Sequence, residues 1–221
     1  MDYKVTLQKI EHINHNVLHL VTNKPKDYSF KPGQATNMAI DKDGLRNKKR
    51  PFTFTSLPED DYLEFTIKVY PSHNGVTEKL EELNVGEQLI IESPWGTITY
   101  KGKGSFIAGG AGVTPFIAIL KDLRYKGELS GNKLFFSNKE ERDIIYKNNL
   151  EAWLGNNLYL TLSDQKHKDY AHGHIDKSFL NKNNLEVTRP VYLCGPPEMM
   201  KDVKAELYAL GLSKSNLVTE D

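Results

Sequence analysis

The first hundred residues alternate between short apolar stretches and polar turns, the pattern of β-strands joined by tight connections. The clearest strand covers residues 62–70, where every second residue from Leu63 to Val69 is apolar and shares one face. The same pattern predicts further strands at residues 5–10, 16–22, 35–40, 52–57 and 88–93. One short helix is predicted at residues 78–83, with Thr77 before it as its N-cap. Many short strands with turns between them predict an antiparallel barrel.

After about residue 100 the pattern changes to strands that alternate with helices, which predicts a parallel sheet with crossover connections. Strands are predicted at residues 105–108, 133–137, 158–162 and 190–194. Helices are predicted at residues 114–124, 143–154, 175–180 and 197–210. The expected fold class is therefore β followed by α/β, with an antiparallel barrel domain at residues 1–100 and a Rossmann-like parallel-sheet domain at residues 101–221.

Charge and cysteine content narrow the classes of function. The chain has 29 Lys and Arg against 29 Asp and Glu, so it offers no net field for nucleic acid or an anionic membrane. Its single cysteine, Cys194, excludes an internal disulfide and a cysteine-ligated metal or iron–sulfur site, and it favours a cytoplasmic location. The longest apolar stretch, residues 106–120, is interrupted by glycines and Pro115, so no membrane span is predicted.

A glycine-rich loop follows the first apolar strand of the second half. Residues 109–115 read Gly-Gly-Ala-Gly-Val-Thr-Pro and lead into a predicted helix, the context that a dinucleotide-binding loop requires. Glycines let the backbone approach phosphates closely, and Pro115 suits the first turn of the helix. In this context the loop favours a dinucleotide site over an ordinary strand-to-helix turn.

Three other clusters each allow a functional and a purely structural interpretation. Residues 50–56 combine an arginine suited to phosphate with an aromatic suited to stacking, but an ordinary strand with core aromatics has the same composition. Residues 75–77 precede a helix, whose first amides bind phosphate or simply remain solvated. Cys194 ends a predicted strand before Gly195 and two prolines, which fits either a ligand-binding edge or a buried structural thiol.

Taken in order, these clusters resemble the ferredoxin–NADP reductase family, in its cytochrome, flavodoxin and oxygenase reductase branches. Residues 30–34 match the turn F-x-P-G-Q, and residues 50–53 match the flavin signature R-x-[YF]-[ST]. Residues 86–89 with 93–96 resemble the segment G-D-x-L…G-P-x-G. Residues 109–115 match G-G-x-G-[IV]-T-P, and residues 194–199 match C-G-P-P-x-M. The resemblance covers nearly the whole chain.

The resemblance implies an enzyme that binds FAD and uses NADH or NADPH. It transfers a hydride between the nicotinamide and flavin N5, and it passes electrons to a separate acceptor, either a flavodoxin-, ferredoxin- or haem-type protein or a small molecule. A monomer is expected. Two alternatives stay open: a non-catalytic protein that senses flavin or nucleotide, and an electron-transfer subunit of a larger complex. Thr53 and Cys194 favour the enzyme, because a sensor has no need of hydride-transfer groups.

The resemblance also implies a role for individual residues. Thr53 is expected near flavin N5 and Cys194 where the nicotinamide arrives, so these two are the candidate catalytic residues. The other candidates for FAD are Arg50 at the pyrophosphate, Pro51 and Phe52 beside the flavin, Ile67, Lys68 and Val69 along it, and Gly75, Val76 and Thr77 at the phosphates. The candidates for the nicotinamide nucleotide are Gly110, Gly112, Thr114, Pro115, Gly195 and Pro196.

Two further expectations concern specificity and the end of the sequence. The loop at residues 137–142 contains two cations and two anions, so it has no net attraction for a 2′-phosphate, and NADH is expected to serve at least as well as NADPH. Many family members end in an aromatic that covers the flavin, whereas this sequence reads Val-Thr-Glu-Asp at residues 218–221. That segment is expected to be a solvated tail, with Glu220 near the flavin edge as the alternative.

Overall fold

The fold consists of two six-stranded sheets that follow one another in the sequence. It is taken from a computed structural model that describes residues 1–69, 76–96 and 98–220. The predicted phosphate contact at Gly75 lies outside the described residues. No helix in these three ranges is long and apolar enough to cross a membrane.

The first sheet forms the barrel domain and is antiparallel at every pairing of its named strands. Its order is β4-β3-β6-β1-β2-β5. An isolated bridge between Phe54 and Phe65 joins the region after β4 to β5 and so closes the barrel, whose core contains both rings. The strands are β1 (Asp2–Asn14), β2 (Val17–Asn23), β3 (Ala35–Ile40), β4 (Arg50–Thr53), β5 (Tyr62–Lys68) and β6 (Gln88–Glu92).

Two local predictions in this domain are wrong. The strand predicted at residues 52–57 begins and ends earlier, because β4 pairs with β3 from Arg50 to Thr53 and the chain then crosses to β5. Thr77 is not an N-cap, because the helix α1 runs from Val76 to Glu81 and includes it. The side chain of Thr77 therefore lies within the first turn of α1.

The second sheet forms the α/β domain, and all its strands pair in parallel. Its order is β10-β9-β8-β7-β11-β12, so the chain reverses direction across the sheet at β7, the position where open α/β sheets bind ligands. The strands are β7 (Ser105–Gly109), β8 (Lys133–Asn138), β9 (Leu158–Leu162), β10 (Ala171–His172), β11 (Val191–Cys194) and β12 (Leu217–Thr219). The helices are α2 (Thr114–Tyr125), α3 (Lys147–Leu154), α4 (Lys177–Lys182) and α5 (Pro197–Ala209).

The helix predicted from residue 143 begins later, because residues 141–143 form a separate 3₁₀ turn and the backbone then leaves helical geometry. Asp143 closes a short turn in which its carboxylate accepts the amide hydrogen of Glu140. Tyr146 then takes a left-handed conformation with φ of 55°, which L-residues rarely adopt and which ends any helix. α3 therefore starts at Lys147.

The end of the sequence also differs from expectation. Leu217–Thr219 forms β12 alongside β11, and Glu220 after it is only partly exposed. The prediction of a solvated tail is therefore wrong for these residues. Strands of two or three residues, such as β10 and β12, are too short to produce a recognisable alternation in sequence.

The two domains share buried apolar contacts. Val17 of the barrel domain and Ile98, which follows β6, belong to the same buried cluster as Phe116 and Ile119 of α2. Gly33 allows a close approach here, since a Cβ at that position would collide with the carbonyl oxygen of Ile98 and contact Ile119. α2 is thus packed on both its own sheet and the barrel, and a cleft remains between the domains at its N-terminal end.

Candidate active site

A cleft of about 1260 Å³ lies between the two domains. One wall is built from β4 and β5 of the barrel domain, and the other from loops at the carboxyl ends of β7, β8, β9 and β11. Pockets for single small molecules usually measure about 300–1,000 Å³, so this cleft accommodates something larger. The predicted residues on its lining are Pro51, Phe52, Thr53, Ile67, Lys68, Val69, Thr77, Gly110, Gly112, Thr114, Cys194, Gly195 and Pro196.

The glycine loop and the cysteine loop pack directly against each other at this cleft. Residues 110–113 form one tight turn between β7 and α2, with Gly110 at a φ of 50°. A Cβ on Gly112 would collide with the carbonyl group of Cys194, and one on Gly109 would collide with Met199 at the start of α5. The glycines are therefore required for the two loops to meet, and together the loops leave backbone exposed to the cleft.

The thiol of Cys194 is held in its protonated form. Burial, followed by the negative charge of Glu220, raises the pKa of Cys194 to about 12, although a backbone hydrogen bond at Gly195 acts in the opposite direction. Burial likewise raises the pKa of Glu220. A neutral thiol in the cleft donates a weak hydrogen bond but is a poor nucleophile.

The barrel wall presents the predicted flavin segment next to the end of the second domain. Thr53 pairs with Ala35, and Ala35 bridges to Trp95 on its other side. Gly96 next to this bridge lies near Glu220, since a Cβ there would be 4.0 Å from the carboxylate oxygen Oε1. Thr53 and Cys194 thus reach the same cleft from opposite domains.

Three described residues predicted for the site do not line the cleft: Arg50, Val76 and Pro115. Arg50 is exposed at the start of β4, and its guanidinium donates to the carbonyl oxygen of Lys49 at 2.9 Å. Val76 is buried at the start of α1, and Pro115 is buried in the first turn of α2.

Several lining residues were not predicted as site residues, and Asn138 is the most informative of them. Its side chain is 5% exposed at the end of β8, and neither polar atom of its amide has a hydrogen-bond partner among the described residues. Buried polar groups are almost always paired, so an unpaired amide on a cleft indicates a ligand contact. Its position at the carboxyl end of a parallel strand was the available sequence signal. The others include His15, Asn16, Thr66, Asp143, Ser163 and His174.

The loop after β8 has its charges largely paired with each other. Arg142 forms an ion pair with Glu140 at 2.7 Å, and Glu141 forms one with Lys147 at 2.5 Å. Lys139 lines the cleft beside Asn138. The local field at this loop is therefore close to neutral, as the sequence predicts.

Both domains match family models. An FAD-binding domain matches residues 2–101, and an oxidoreductase NAD-binding domain matches residues 106–205. The two matches together cover both sheets apart from the last strand, β12. They assign FAD binding to the barrel domain and NAD binding to the α/β domain.

Curated relatives are similar over much of the chain. The electron transfer component of anthranilate 1,2-dioxygenase from Acinetobacter baylyi is 27% identical, over 92% of this chain and 62% of its own length. Human NADH-cytochrome b5 reductase 1 is 29% identical, over 69% of this chain and 62% of its own length. The chain thus spans about 62% of the length of these relatives.

Solved structures have the same fold. The cytochrome b5 reductase domain of Ulva prolifera nitrate reductase has a TM-score of 0.87 at 22% identity, over 99% of this chain and 97% of that one. A ferredoxin NADP⁺ reductase from Neisseria gonorrhoeae with bound FAD and NADP has a TM-score of 0.86 at 16% identity, over 99% and 98% of the two chains. The two-domain arrangement with a cleft between the sheets is therefore that of these proteins.

Proposed function

We propose that this chain is an FAD-dependent oxidoreductase of the ferredoxin–NADP reductase type, because its two halves match an FAD-binding domain and an oxidoreductase NAD-binding domain. It takes a hydride from a nicotinamide dinucleotide and passes electrons to a separate acceptor. The observation that carries this proposal is the convergence of Thr53 and Cys194 on one cleft from two different nucleotide-binding domains. A hydride passes only between groups held in contact, and this cleft offers one place where both cofactors meet.

The residues of the barrel wall hold and orient the flavin. FAD, when bound, supplies the two-electron acceptor and can release electrons singly. Phe52 contributes an aromatic face, and the backbone of Ile67 and Val69 lines the same wall. Arg50 is free to turn its guanidinium to a phosphate, because its side chain is exposed and, among the described residues, is held only by the carbonyl of Lys49. The hydroxyl of Thr53 offers a hydrogen bond near the reacting atom.

The residues of the opposite wall hold the nicotinamide dinucleotide. Gly110 and Gly112 let the pyrophosphate approach the backbone before α2. Cys194 and Gly195 lie on the β11 side of this loop, and Asn138 lies on the β8 side. The nicotinamide therefore belongs over Cys194 and the adenosine over Asn138, with the pyrophosphate between them. The protonated thiol of Cys194 excludes water and positions the nicotinamide without forming a covalent bond.

The acceptor is proposed to be a separate protein. Among the curated relatives are electron transfer components of dioxygenases and NADH-cytochrome b5 reductases, whose names identify protein acceptors.

We also propose a division into an FAD-binding domain at residues 1–100 and an NAD(P)-binding domain at residues 101–221, supported by the two sheets and the two matched segments. A monomer and a cytoplasmic location stay predictions, the latter based on the single thiol.

The absorption spectrum of the purified protein tests the proposal. A yellow protein whose visible flavin absorption bleaches on anaerobic addition of NADH or NADPH, and recovers on addition of a ferredoxin- or haem-type acceptor, supports it. Bound flavin that neither nucleotide bleaches would instead indicate a sensor. Co-purification of a stoichiometric partner needed for bleaching would indicate a subunit of a larger complex.

A further inference from the structure

One strand of the barrel domain contacts the α/β domain at three successive outward positions. The residues Leu63, Phe65 and Ile67 of β5 point into the barrel core. The alternate residues Glu64, Thr66 and Lys68 point the other way, and we call them the β5 row. Each residue of the row has a partner in the α/β domain: Lys121 for Glu64, Tyr146 for Thr66 and Asp143 for Lys68.

The first contact is a buried ion pair. Lys121 Nζ lies 2.7 Å from Glu64 Oε1 and also donates to the carbonyl oxygen of Thr55 at 2.8 Å. The other carboxylate oxygen of Glu64 lies 3.3 Å from His19 Nε2, on the neighbouring strand β2. Glu64 is thereby fixed within the barrel and attached to the middle of α2. In this environment an ion pair whose two charged groups are both hydrogen-bonded fixes one position of α2 relative to the barrel.

The second and third contacts continue along the strand. Thr66 Oγ1 donates to the hydroxyl oxygen of Tyr146 at 3.3 Å, and that hydroxyl donates to Glu64 at 3.5 Å. Burial and the charge of Glu64 raise the pKa of Tyr146, so its hydroxyl stays a donor. Lys68 Nζ lies 3.1 Å from Asp143 Oδ1, and both side chains are largely buried.

The partners belong to elements that begin at the cleft. α2, which carries Lys121, starts directly after the glycine loop. Asp143 and Tyr146 lie in the segment that follows Asn138, and Asp143 itself lines the cleft together with Thr66 and Lys68. Tyr146 has the left-handed backbone that non-glycine residues rarely adopt, which is maintained where surrounding contacts fix it. The β5 row therefore connects β5, which lines the flavin side of the cleft, to two segments on the nucleotide side: α2 and the segment that follows Asn138.

We propose that the β5 row acts as a positioning device for hydride transfer: Glu64, Thr66 and Lys68 fix the α/β domain so that the nicotinamide meets the flavin at reacting distance. The inference rests on the proposed function. Reacting atoms must approach to about 3–3.5 Å, and a displacement of about 1 Å can slow a reaction a hundredfold. Glu64, Lys121 and Tyr146 do not line the cleft, so they act through the seating of the domain and not by touching a cofactor.

Lys121→Met in the FAD-loaded full chain tests the proposal by stopped-flow bleaching of the flavin. At saturating NADH the bleaching rate should fall about tenfold, equivalent to about 1.4 kcal/mol, while the FAD affinity and the reoxidation rate with ferricyanide stay unchanged. Lys121→Arg should recover most of the rate. Lys126→Met is the matched control, because Lys126 directly follows the same helix but pairs with Asp122 of that helix at 2.8 Å.

Two further measurements separate positioning from mere stabilisation. Tyr146→Phe, which keeps the ring and removes only the hydroxyl, should slow bleaching without preventing folding. Hydrogen exchange should quicken at residues 64–68 and 143–147 in Lys121→Met, a readout that does not depend on activity. A lower melting temperature with wild-type bleaching and wild-type exchange would overturn the proposal. If NADH left the wild-type flavin oxidised, the proposed function would fail, and the exchange measurement would still decide whether the row fixes the domains.

Discussion

Cys194 is the last residue of β11, and Glu220 directly follows β12. Because β11 and β12 pair in parallel, Cys194 and Glu220 each come directly after the last pair of residues that the two strands form. Burial of the thiol raises the pKa of Cys194 to about 12, and the negative charge of Glu220 is the second-largest cause of this rise. The site thus combines a neutral thiol with a carboxyl group, and burial raises the pKa of that carboxyl group as well. This arrangement suits hydrogen bonding and the exclusion of water, and it disfavours covalent catalysis.

Cys194→Ser should therefore keep the fold and bound FAD but slow flavin reduction. A hydroxyl is smaller and more polar than a thiol, so it changes the contact with the nicotinamide without removing the hydrogen-bond donor. Stopped-flow bleaching at saturating nucleotide measures the effect, expected at about tenfold. An unchanged rate, or a covalent adduct of Cys194 with nucleotide detected by mass spectrometry, would contradict the assigned role.

Arg50→Ala should weaken FAD binding. The guanidinium is exposed, and among the described residues its one hydrogen bond is to the carbonyl oxygen of Lys49, so little of the apo structure depends on it. A charge-assisted contact to phosphate contributes about 1.5–3 kcal/mol, which corresponds to a rise in Kd of about ten- to a hundredfold. Fluorescence titration of the apoprotein with FAD gives the value. Arg46→Ala, in the loop before β4 with its partner Asp41, is the control and should bind FAD normally.

The sequence predicts the fold and the central loops well because both have strong local signals. Alternation at residues 62–70 and the glycine loop at residues 109–115 each specify one element with little dependence on distant contacts. The close approach of Gly112 to Cys194 is the physical reason why the two loops occur together.

The remaining features depend on contacts between distant parts of the chain. β12 gains its stability from pairing with β11, so Glu220 looks like part of a free tail in the sequence. The β5 row appears in the sequence only as the polar half of an alternating strand. Its partners lie 57 to 82 residues away, and nothing local indicates which of them faces the strand.

NADH should serve at least as well as NADPH. A 2′-phosphate carries nearly two negative charges near neutral pH and needs unpaired cations. Both cations of this loop line the cleft, but Arg142 is paired with Glu140 at 2.7 Å, which leaves Lys139 as the one without an ion pair among the described residues. Values of kcat/KM for both nucleotides with one artificial acceptor decide the question. A tenfold preference for NADPH, about 1.4 kcal/mol, would contradict this prediction. Loss of that preference in Lys139→Ala would then identify Lys139 as the residue that binds the 2′-phosphate.

Asn138→Val should stabilise the protein without ligand and weaken nucleotide binding. The buried amide has neither of its polar atoms paired among the described residues, a state that costs about 1–3 kcal/mol. Valine has a similar volume and suits a strand end, so the free energy of unfolding should rise by about 1 kcal/mol. The KM for NADH should rise about tenfold, because the adenosine loses a hydrogen-bonding partner. Asn149→Ala, on the exposed face of α3, should leave the KM for NADH unchanged.

Acid should remove the contribution of Glu64 to stability. Burial acts to raise the pKa of Glu64, but the hydrogen bond with His19 and the charge and hydrogen bond of Lys121 outweigh it and hold the pKa at about 2, against an ordinary value of 4.5. The unfolded chain therefore binds the proton first as the pH falls. The stabilisation, about 3 kcal/mol by linkage, is fully present above pH 4.5 and is lost progressively between about pH 4.5 and 2.

Urea unfolding of the wild type and Glu64→Gln between pH 6 and pH 3 measures this contribution directly. The wild type should be the more stable protein at pH 6, and the difference should shrink as the pH falls through the window. Glu59→Gln is the control, because Glu59 is exposed in the turn before β5 of the same domain and should show little pH-dependent difference. A difference between the wild type and Glu64→Gln that stays constant from pH 6 to pH 3 would mean that the carboxylate is not held ionised by His19 and Lys121, and the ion pair at the head of the β5 row would then not stabilise the domain contact.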